Sequence, residues 1–347
     1  MPILEEETYR VLSIQSHMVS GYCGNKAAAF PLQTLGFDVD ILNTVQFSNH
    51  TGYPSWTGNR LSADNVQDLF NGLEANGLTD DYTHVLTGYI GNYAILEKIK
   101  NMVEKLKNKN PNLIYVCDTV MGDGGSLYVA PEIVPLYRDI ISVTDVITPN
   151  QFEAETLSGH KIQSLNDCIT ATKKLHELGA TNVIITTLAL PLQDVPLDIH
   201  LPSISENSLY CFTSQLLPNG TIEQHLIAFP TYTGYFTGTG DLFSSLVVAR
   251  LQEAMNDNGP PSLINAAYRV VCSVNAVTKR TWLHQKKHLA TLSQNEAEEI
   301  GKKPNTAVSV RMCELALIKG RKEIEEPERV GKDVVKYIKL KECSLDK

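Results

Sequence analysis

The sequence contains no hydrophobic run approaching the roughly 20 consecutive apolar residues that a membrane span requires. Charged residues, glycine or proline interrupt every candidate. Positive charge is in deficit: 30 Lys and Arg against 39 Asp and Glu leave a net charge of −9. That field repels polyanions and argues against nucleic acid as a partner, so any anion site must be built locally. Met1–Arg10 lacks both the basic start and the apolar centre of a signal peptide and carries Glu5, Glu6 and Glu7 instead, so export is not expected and a cytoplasmic protein is. The 7 cysteines are dispersed, with no C-x-x-C pair, a usage that fits free thiols in a reducing compartment and neither a disulfide framework nor a zinc site.

Familiar catalytic signatures are missing as well. There is no G-x-x-x-x-G-K-[ST], and no G-x-G-x-x-G follows the first predicted strand, which excludes a P-loop and disfavours a dinucleotide oxidoreductase. H-E-x-x-H, G-x-S-x-G and the protein-kinase catalytic loop are also absent, so zinc protease, α/β-hydrolase and protein kinase lack their chemistry.

What is present is an ordinary core-forming composition, 43% hydrophobic and 20% charged over 347 residues, enough for one large α/β domain. Short β-branched runs alternate with helical stretches, the pattern of a parallel sheet covered by helices. Strands are expected at Arg10–Ile14, Asp38–Asn43, Thr83–Thr87, Leu113–Asp118, Asp145–Thr148 and Asn182–Thr187. Helices are expected at Asn25–Leu35, Asp64–Asn76, Ala94–Leu106 and Leu165–Leu178, and from a capping-box start at Asn150–Glu153. From Leu188 to Tyr232 proline-punctuated strands (Leu209–Thr213, Glu223–Phe229) predict a small antiparallel flap at the sheet edge. Helices follow at Gly238–Glu253 and Leu263–Trp282, then a charged connection at about 284–305. A C-terminal edge strand, placed at Glu314–Ile318, and a tail occupy about 306–347. The expected architecture is therefore three layers, α/β/α, on a mostly parallel sheet, in a single domain over 1–347 with its core at about 10–282.

The most informative stretch is Thr237-Gly238-Thr239-Gly240-Asp241, which opens directly into an apolar helix. Glycines let backbone approach a ligand, and free amides at a helix start favour an anion. Asp241 is placed to accept a hydroxyl proton while those amides stabilise a transferring phosphoryl group. An acid that merely complements the helix dipole fits the same pattern. Asp118-Thr119-Val120-Met121-Gly122-Asp123 puts two acids at the end of a predicted strand, where ligands of open α/β sheets gather and hard oxygen donors suit magnesium. Gly122, Gly124 and Gly125 fit a covering lid. A solvated acidic turn there, and a plain capping box at Asn150 and Glu153, account for these residues equally well.

Taken together, Ser13-Ile14-Gln15-Ser16-His17, Gly21-Tyr22-Cys23-Gly24-Asn25, Val45-Gln46-Phe47-Ser48-Asn49-His50-Thr51-Gly52-Tyr53, Leu86-Thr87-Gly88-Tyr89, Ile147-Thr148-Pro149-Asn150-Gln151-Phe152-Glu153 and Gly238-Thr239-Gly240-Asp241 resemble pyridoxal kinases of the ribokinase-like superfamily. The likeness covers roughly Arg10 to Trp282, with a further echo at Glu314–Glu325. It implies ATP-dependent phosphorylation of the 5′-hydroxymethyl group of pyridoxal, pyridoxine or pyridoxamine, a step of vitamin B6 salvage.

On that resemblance Asp241 is the base and Gly238, Thr239 and Gly240 form the anion hole. Ser16 and Thr51 bind the pyridine ring, walled by Val45, Phe47, His50 and Tyr89. Asp118, Asn150, Glu153, Thr186, Thr187 and Thr239 lie near the ATP phosphates, and Tyr232, Thr233 and Phe236 near the adenosine. Asp123 and Glu153 form the shell of Mg2+ or another divalent ion, directly or through water. Asp118, Thr148 and Thr186 resemble a site for K+ or Na+. The resemblance further implies a homodimer with a complete site in each subunit.

Three departures bear on this. The acidic motif has Thr119 where many relatives have proline, the short lid has no cysteine, and Leu188–Thr231 matches poorly. Cys23 and Cys117 read as structural thiols. The alternatives are a hydroxymethylpyrimidine kinase of the same superfamily, against which Ser16 and Asn49–Tyr53 argue, and a non-catalytic vitamin or nucleotide binder, which has no need of Asp241.

Overall fold

The computed structural model describes residues 8–201, 208–256, 262–292, 306–341 and 343–344. Its frame is a mixed sheet with six parallel strands at its centre. In chain order these are β1 (Arg10–Met18), β2 (Asp38–Phe47), β4 (His84–Thr87), β5 (Ile114–Cys117), β8 (Val146–Ile147) and β9 (Asn182–Leu188), all mutually parallel in the spatial order β9-β8-β5-β4-β1-β2.

Alternate residues of each strand enter different cores, because successive side chains point to opposite faces. Leu12, Val85, Tyr115, Ile147 and Val183 pack with α2 (Ala63–Ala75), α3 (Tyr93–Lys109), α4 (Ile133–Ile141), α5 (Gln151–Ser158) and α6 (Leu165–Glu177). Val11, Leu86, Val116, Val146 and Ile184 pack with α1 (Asn25–Thr34), α7 (Thr239–Asn256) and α8 (Leu263–Leu289). Two buried faces explain why β4, β5, β8 and the first half of β9 read as nearly continuous apolar runs. Each fully buried Leu, Ile or Val contributes on the order of 1.5–3 kcal/mol. The expected three-layer, mostly parallel architecture is thus present.

The antiparallel segment lies at the sheet edge as expected, and it is continuous with the sheet. β10 (Ser208–Leu216) and β11 (Thr221–Pro230) form a hairpin that pairs antiparallel with β9. At the opposite edge the short β3 (Gly58–Arg60) pairs antiparallel with β2. A separate two-stranded sheet, β6 (Gly122–Asp123) with β7 (Ser126–Leu127), stands at the C-terminal ends of the parallel strands.

The C-terminal region corrects one expectation. Glu314–Ile318 is not an edge strand but an irregular turn after α9 (Ala307–Met312). Its alternation is real, since Leu315 and Leu317 are buried in the core around α7 and α8, but among the described residues no strand pairs with it. Two short helices follow, α10 (Arg321–Glu325) and α11 (Pro327–Gly331). The edge position is then taken by β12 (Lys336–Lys339), antiparallel to β11, and β13 (Cys343–Ser344) pairs with the same strand. Helix α8 runs past Trp282 to Leu289, so the charged connection begins as helix; 293–305, like Met1–Glu7, lies outside the described residues. Sequence reasoning assigned no helix to α4, a short helix with Pro135 in its first turn, although Ile133, Val134, Leu136, Tyr137, Ile140 and Ile141 recur at helical spacing and are all buried.

Glycines report how tightly α8 and the C-terminal helices meet. A Cβ on Gly331 would stand 2.0 Å from Cys272 Sγ, whereas Gly72, exposed inside α2, has nothing within 4 Å. Gly331→Ala should therefore destabilise by about 1–3 kcal/mol through overpacking. Gly72→Ala should stabilise by roughly 0.5–1 kcal/mol through helix propensity. Urea unfolding midpoints of the two variants check both signs.

Candidate active site

The sheet has a switch point between β1 and β4, where the chain leaves in opposite directions, and ligands of open α/β sheets bind at the strand ends beside such a point. The predicted polar residues gather there. Ser16 lies near the end of β1, just past a bulge at Gln15/Ser16; Asp118 follows β5, Thr148 follows β8, and Thr186 lies late in β9.

Asp241 occupies the first turn of α7, almost wholly buried. Its Oδ2 accepts the Gly24 N–H at 2.8 Å. Burial pushes its carboxyl above the ordinary range, and the Gly24 amide and the Cys23 thiol beside it pull partly back. The carboxylate is thereby a stronger proton acceptor than an exposed aspartate. Gly24 itself has φ +58, and a Cβ there would stand 2.0 Å from the Ser16 carbonyl. Ser16, Gly24 and Asp241 are therefore stacked in contact.

The anion cradle is set with similar closeness. Gly238 has φ +88, and a side chain there would strike the Tyr22 carbonyl at 2.1 Å, so only glycine fits. Thr239 Oγ1 donates to the Phe236 carbonyl at 3.2 Å, fixing the turn. Gly240 is exposed at the head of α7, where the first-turn amides have no intrahelical acceptor and are free to meet an anion.

Asp118 faces Gly240, since a Cβ on that glycine would lie 3.6 Å from Asp118 Oδ2. Burial and the charges of Glu153 and Asp241 drive the Asp118 carboxyl well upward, and the Ser244 and Thr148 hydroxyls offset this only in part. Among the described residues, Asp118 Oδ2 and Thr148 Oγ1 are both buried without a hydrogen-bond partner. Crowded carboxylates with orphaned oxygens form a cluster that cations would stabilise.

Glu153 is also buried, and burial raises its carboxyl to about 7. Its Oε1 accepts Met121 N–H at 2.9 Å and Gly122 N–H at 3.4 Å, and its Oε2 accepts Asn150 N–H at 2.9 Å. The predicted capping box exists, with Asn150 Oδ1 accepting Glu153 N–H at 2.9 Å, and Asn150 Nδ2 also donates to the Gly122 carbonyl at 2.8 Å. Together they anchor the Gly-rich segment to α5. That segment is a hairpin: Gly124 (φ +56) and Gly125 (φ +85) make the type I′ turn between β6 and β7. Asp123, exposed on it, accepts Gly124 N–H at 2.7 Å.

Thr186 is half-buried and donates its amide to the Pro149 carbonyl at 2.9 Å; Thr187 is exposed. Tyr232 donates from its hydroxyl to Asn275 Oδ1 at 3.2 Å and lies 5.4 Å from the Trp282 ring, Thr233 is exposed, and Phe236 is half-buried against the core around α7 and α8.

The ring-side residues are more dispersed. Val45 and Phe47 are buried with Met18, and the Arg60 guanidinium sits 4.8 Å from the Phe47 ring centroid. Thr51 is exposed, and half-buried Tyr89 follows β4. His50 is buried and turned toward Glu314, 3.3 Å from Nε2 to Oε1.

Comparison with known proteins places this geometry in a lineage. The phosphomethylpyrimidine kinase family model matches residues 73–259. A pyridoxal kinase of Arabidopsis thaliana is 44% identical over 279 residues, covering 80% of this chain and 84% of its own. The Homo sapiens pyridoxal kinase is 38% identical over 334 residues, 94% and 98% of the two chains. The chain belongs to the pyridoxal kinase family. Among solved structures, the pyridoxal kinase from Leishmania donovani in complex with ADP and pyridoxamine has a TM-score of 0.77 at 31% identity, covering 96% of this chain and 99% of that one.

Even with the pyridoxal kinase family suspected from motifs, sequence reasoning gave no site role to Gly24, whose amide holds Asp241, to Asn275 or to Glu314, and read Cys23, whose thiol lies beside Asp241, as structural. The Gly21–Asn25 stretch marked Gly24 and Cys23 only as part of a resemblance. The partners are remote: Gly24 and Asp241 are 217 positions apart.

Asp118, Asp241 and Glu153 all have carboxyls raised in the folded state, so the protonated form stabilises the fold. Glu153 makes stability fall as pH rises from about 4.5, where an unfolded glutamate titrates, through about 7, and leaves it level above that. Urea unfolding of the nucleotide-free protein between pH 5 and 8 should show this decline, and Glu153→Gln should flatten it. An identical slope in the variant would refute the assignment.

Proposed function

We propose that the chain transfers the γ-phosphoryl group of ATP to the 5′-hydroxymethyl group of pyridoxal, pyridoxine or pyridoxamine. The observation that carries this reading is the buried Asp241 carboxylate, held by the Gly24 amide at the head of α7 beside the exposed Gly240. Near-full-length likeness to pyridoxal kinases supports the vitamer as substrate. A Leishmania donovani relative solved with ADP alone supports the nucleotide. The hydroxymethylpyrimidine alternative is not favoured, because the relatives that share most of this chain's length are pyridoxal kinases.

Chemistry at the site follows from the placement of these groups. Asp241 accepts the proton of the 5′-hydroxyl as its oxygen bonds to the γ-phosphorus; the bond to the bridging oxygen breaks and ADP departs with that electron pair. Amides of Gly238, Thr239 and Gly240 face the charge on the phosphoryl oxygens. Ser16 and Thr51 hold the pyridine ring, with Val45, Phe47, His50 and Tyr89 around it. Asp118, Asn150, Glu153, Thr186, Thr187 and Thr239 line the phosphate side, and Tyr232, Thr233 and Phe236 the adenosine side. The β6–β7 hairpin, anchored through Glu153 and Asn150, is positioned to exclude water from the transfer.

Cations fit this acidic surface. A monovalent ion, K+ or Na+, would be held by Asp118, Thr148 and Thr186, a placement supported by the orphaned Asp118 Oδ2 and Thr148 Oγ1. A divalent ion, Mg2+, would be held by Asp123 and, through water, by Glu153, whose oxygens already accept backbone amides. Such ions neutralise the phosphate charge that builds up in transfer.

Asp241→Asn should fold and bind ATP as the parent does, yet lose about two orders of magnitude or more in turnover, as removal of a positioned base demands. The measurement is coupled ADP release with Mg-ATP on the three vitamers and on hydroxymethylpyrimidine. Undiminished turnover in the variant would remove Asp241 from the mechanism, preference for the pyrimidine would change the substrate, and silence of the parent on all four would favour a binding protein.

A further inference from the structure

We infer that Glu314 is a positioning residue for the vitamer subsite: its carboxylate fastens the His50–Tyr53 loop and the Gly21–Gly24 turn to each other, and so sets the ring pocket against the base. The inference rests on the proposed phosphoryl transfer and adds a residue that sequence reasoning had placed in an edge strand.

Glu314 is largely enclosed, with 16% of its side chain exposed. Oε1 accepts from the Tyr53 hydroxyl at 3.0 Å and from His50 Nε2 at 3.3 Å. Oε2 accepts the Tyr22 N–H at 3.2 Å. These donors outweigh burial and hold the Glu314 carboxyl below its usual range, so it stays ionised at neutral pH. Tyr53 in turn is pushed up to about 12 and keeps its proton to donate. The His50 ring is orientated from both sides: Nδ1 accepts the Gly52 N–H at 3.2 Å, which leaves Nε2 as the donor toward Glu314, and Tyr53 packs 4.8 Å from the imidazole.

The other arm of the linkage reaches the reacting groups. Gly21, at φ +87, lies so close that a Cβ would sit 2.5 Å from the Glu314 carboxylate. The next residue gives Glu314 its amide while its carbonyl presses on Gly238 of the anion cradle, and two residues on the Gly24 amide holds Asp241. A short backbone turn thus joins Glu314 to both cradle and base. Leu315, buried in the core, sits behind Gly238, 3.5 Å from where its Cβ would be. A carboxylate chosen for packing alone would not be charged, enclosed and shared by one segment that carries His50 and Thr51 and another whose amide holds Asp241.

The test is steady-state kinetics of Glu314→Gln with pyridoxal and with ATP varied separately, alongside calorimetric binding of pyridoxal in the absence of nucleotide. Loss of charge-assisted bonds to a fixed carboxylate should raise the KM for pyridoxal, and weaken its direct binding, about tenfold or more, with the KM for ATP within about twofold. Tyr53→Phe should reproduce part of the rise, and the double variant should add little to Glu314→Gln because both remove the same link. Pyridoxal KM and binding unchanged in a folded Glu314→Gln would overturn the inference, as would equal rises in both KM values. Should Glu314→Gln not fold, Tyr53→Phe decides by the same split. Absence of vitamer turnover in the parent protein would instead defeat the phosphoryl-transfer reading.

Discussion

The bond from the Gly24 amide to Asp241 Oδ2 is the contact on which the rest of the site depends. It joins the first βα turn to the seventh helix, across the switch point where β1 and β4 part. For it to form, β1 carries a bulge near its end that brings Ser16 against Gly24, and Gly24 must take a positive φ with no side chain to hold it off. Gly238 must let the Tyr22 carbonyl approach from the other side. Two glycines, 214 positions apart in the chain, are thus required by a single close packing of backbone on backbone. The carboxylate so held is enclosed, orientated and basic, and sits next to the helix amides that would receive an anion.

A second constraint comes from charge. Asp118, Glu153 and Asp241 are buried near one another, and Asp118 feels the other two as repulsion. Burial of like charges is costly unless something neutralises or bonds them. Glu153 meets the requirement with three backbone amides, which also tether the hairpin above the site. Asp241 meets it with one amide and the neighbouring thiol. Asp118 does not: among the described residues its Oδ2, like Thr148 Oγ1, is buried with no hydrogen-bond partner. Fold and charge are thus coupled here, since the repulsion among these carboxylates is relieved only where backbone amides or a counter-charge meet them.

The layered fold was legible because double burial leaves a strong trace. Runs such as Asn182–Thr187 are apolar at every position that enters either core, and the strand appears where that run predicts it. The Gly-Thr-Gly-Asp helix start and the Asn150–Glu153 box were legible because local hydrogen-bonding rules tie residue type to position. Glu314–Ile318 misled because alternation marks residues that dip into a core, whether or not their backbone pairs with a strand. The parts not seen, Gly24 on Asp241 and Tyr22 on Glu314, are contacts between segments 217 and 292 positions apart, which no spacing rule encodes.

That last separation bears on how the molecule is made. Chains emerge from the ribosome amino end first, and the Gly21–Gly24 turn is among the earliest segments to appear. Its anchor, Glu314, arrives after nearly all of the sheet has been synthesised, together with Leu315 and Leu317, which close the core beside α7. A nascent chain that already possesses every parallel strand still lacks the carboxylate that ties the His50–Tyr53 loop to the Gly21–Gly24 turn. Closure of the Glu314 contacts is therefore a late event of biosynthesis, possible only when a C-terminal segment folds back onto the first turn.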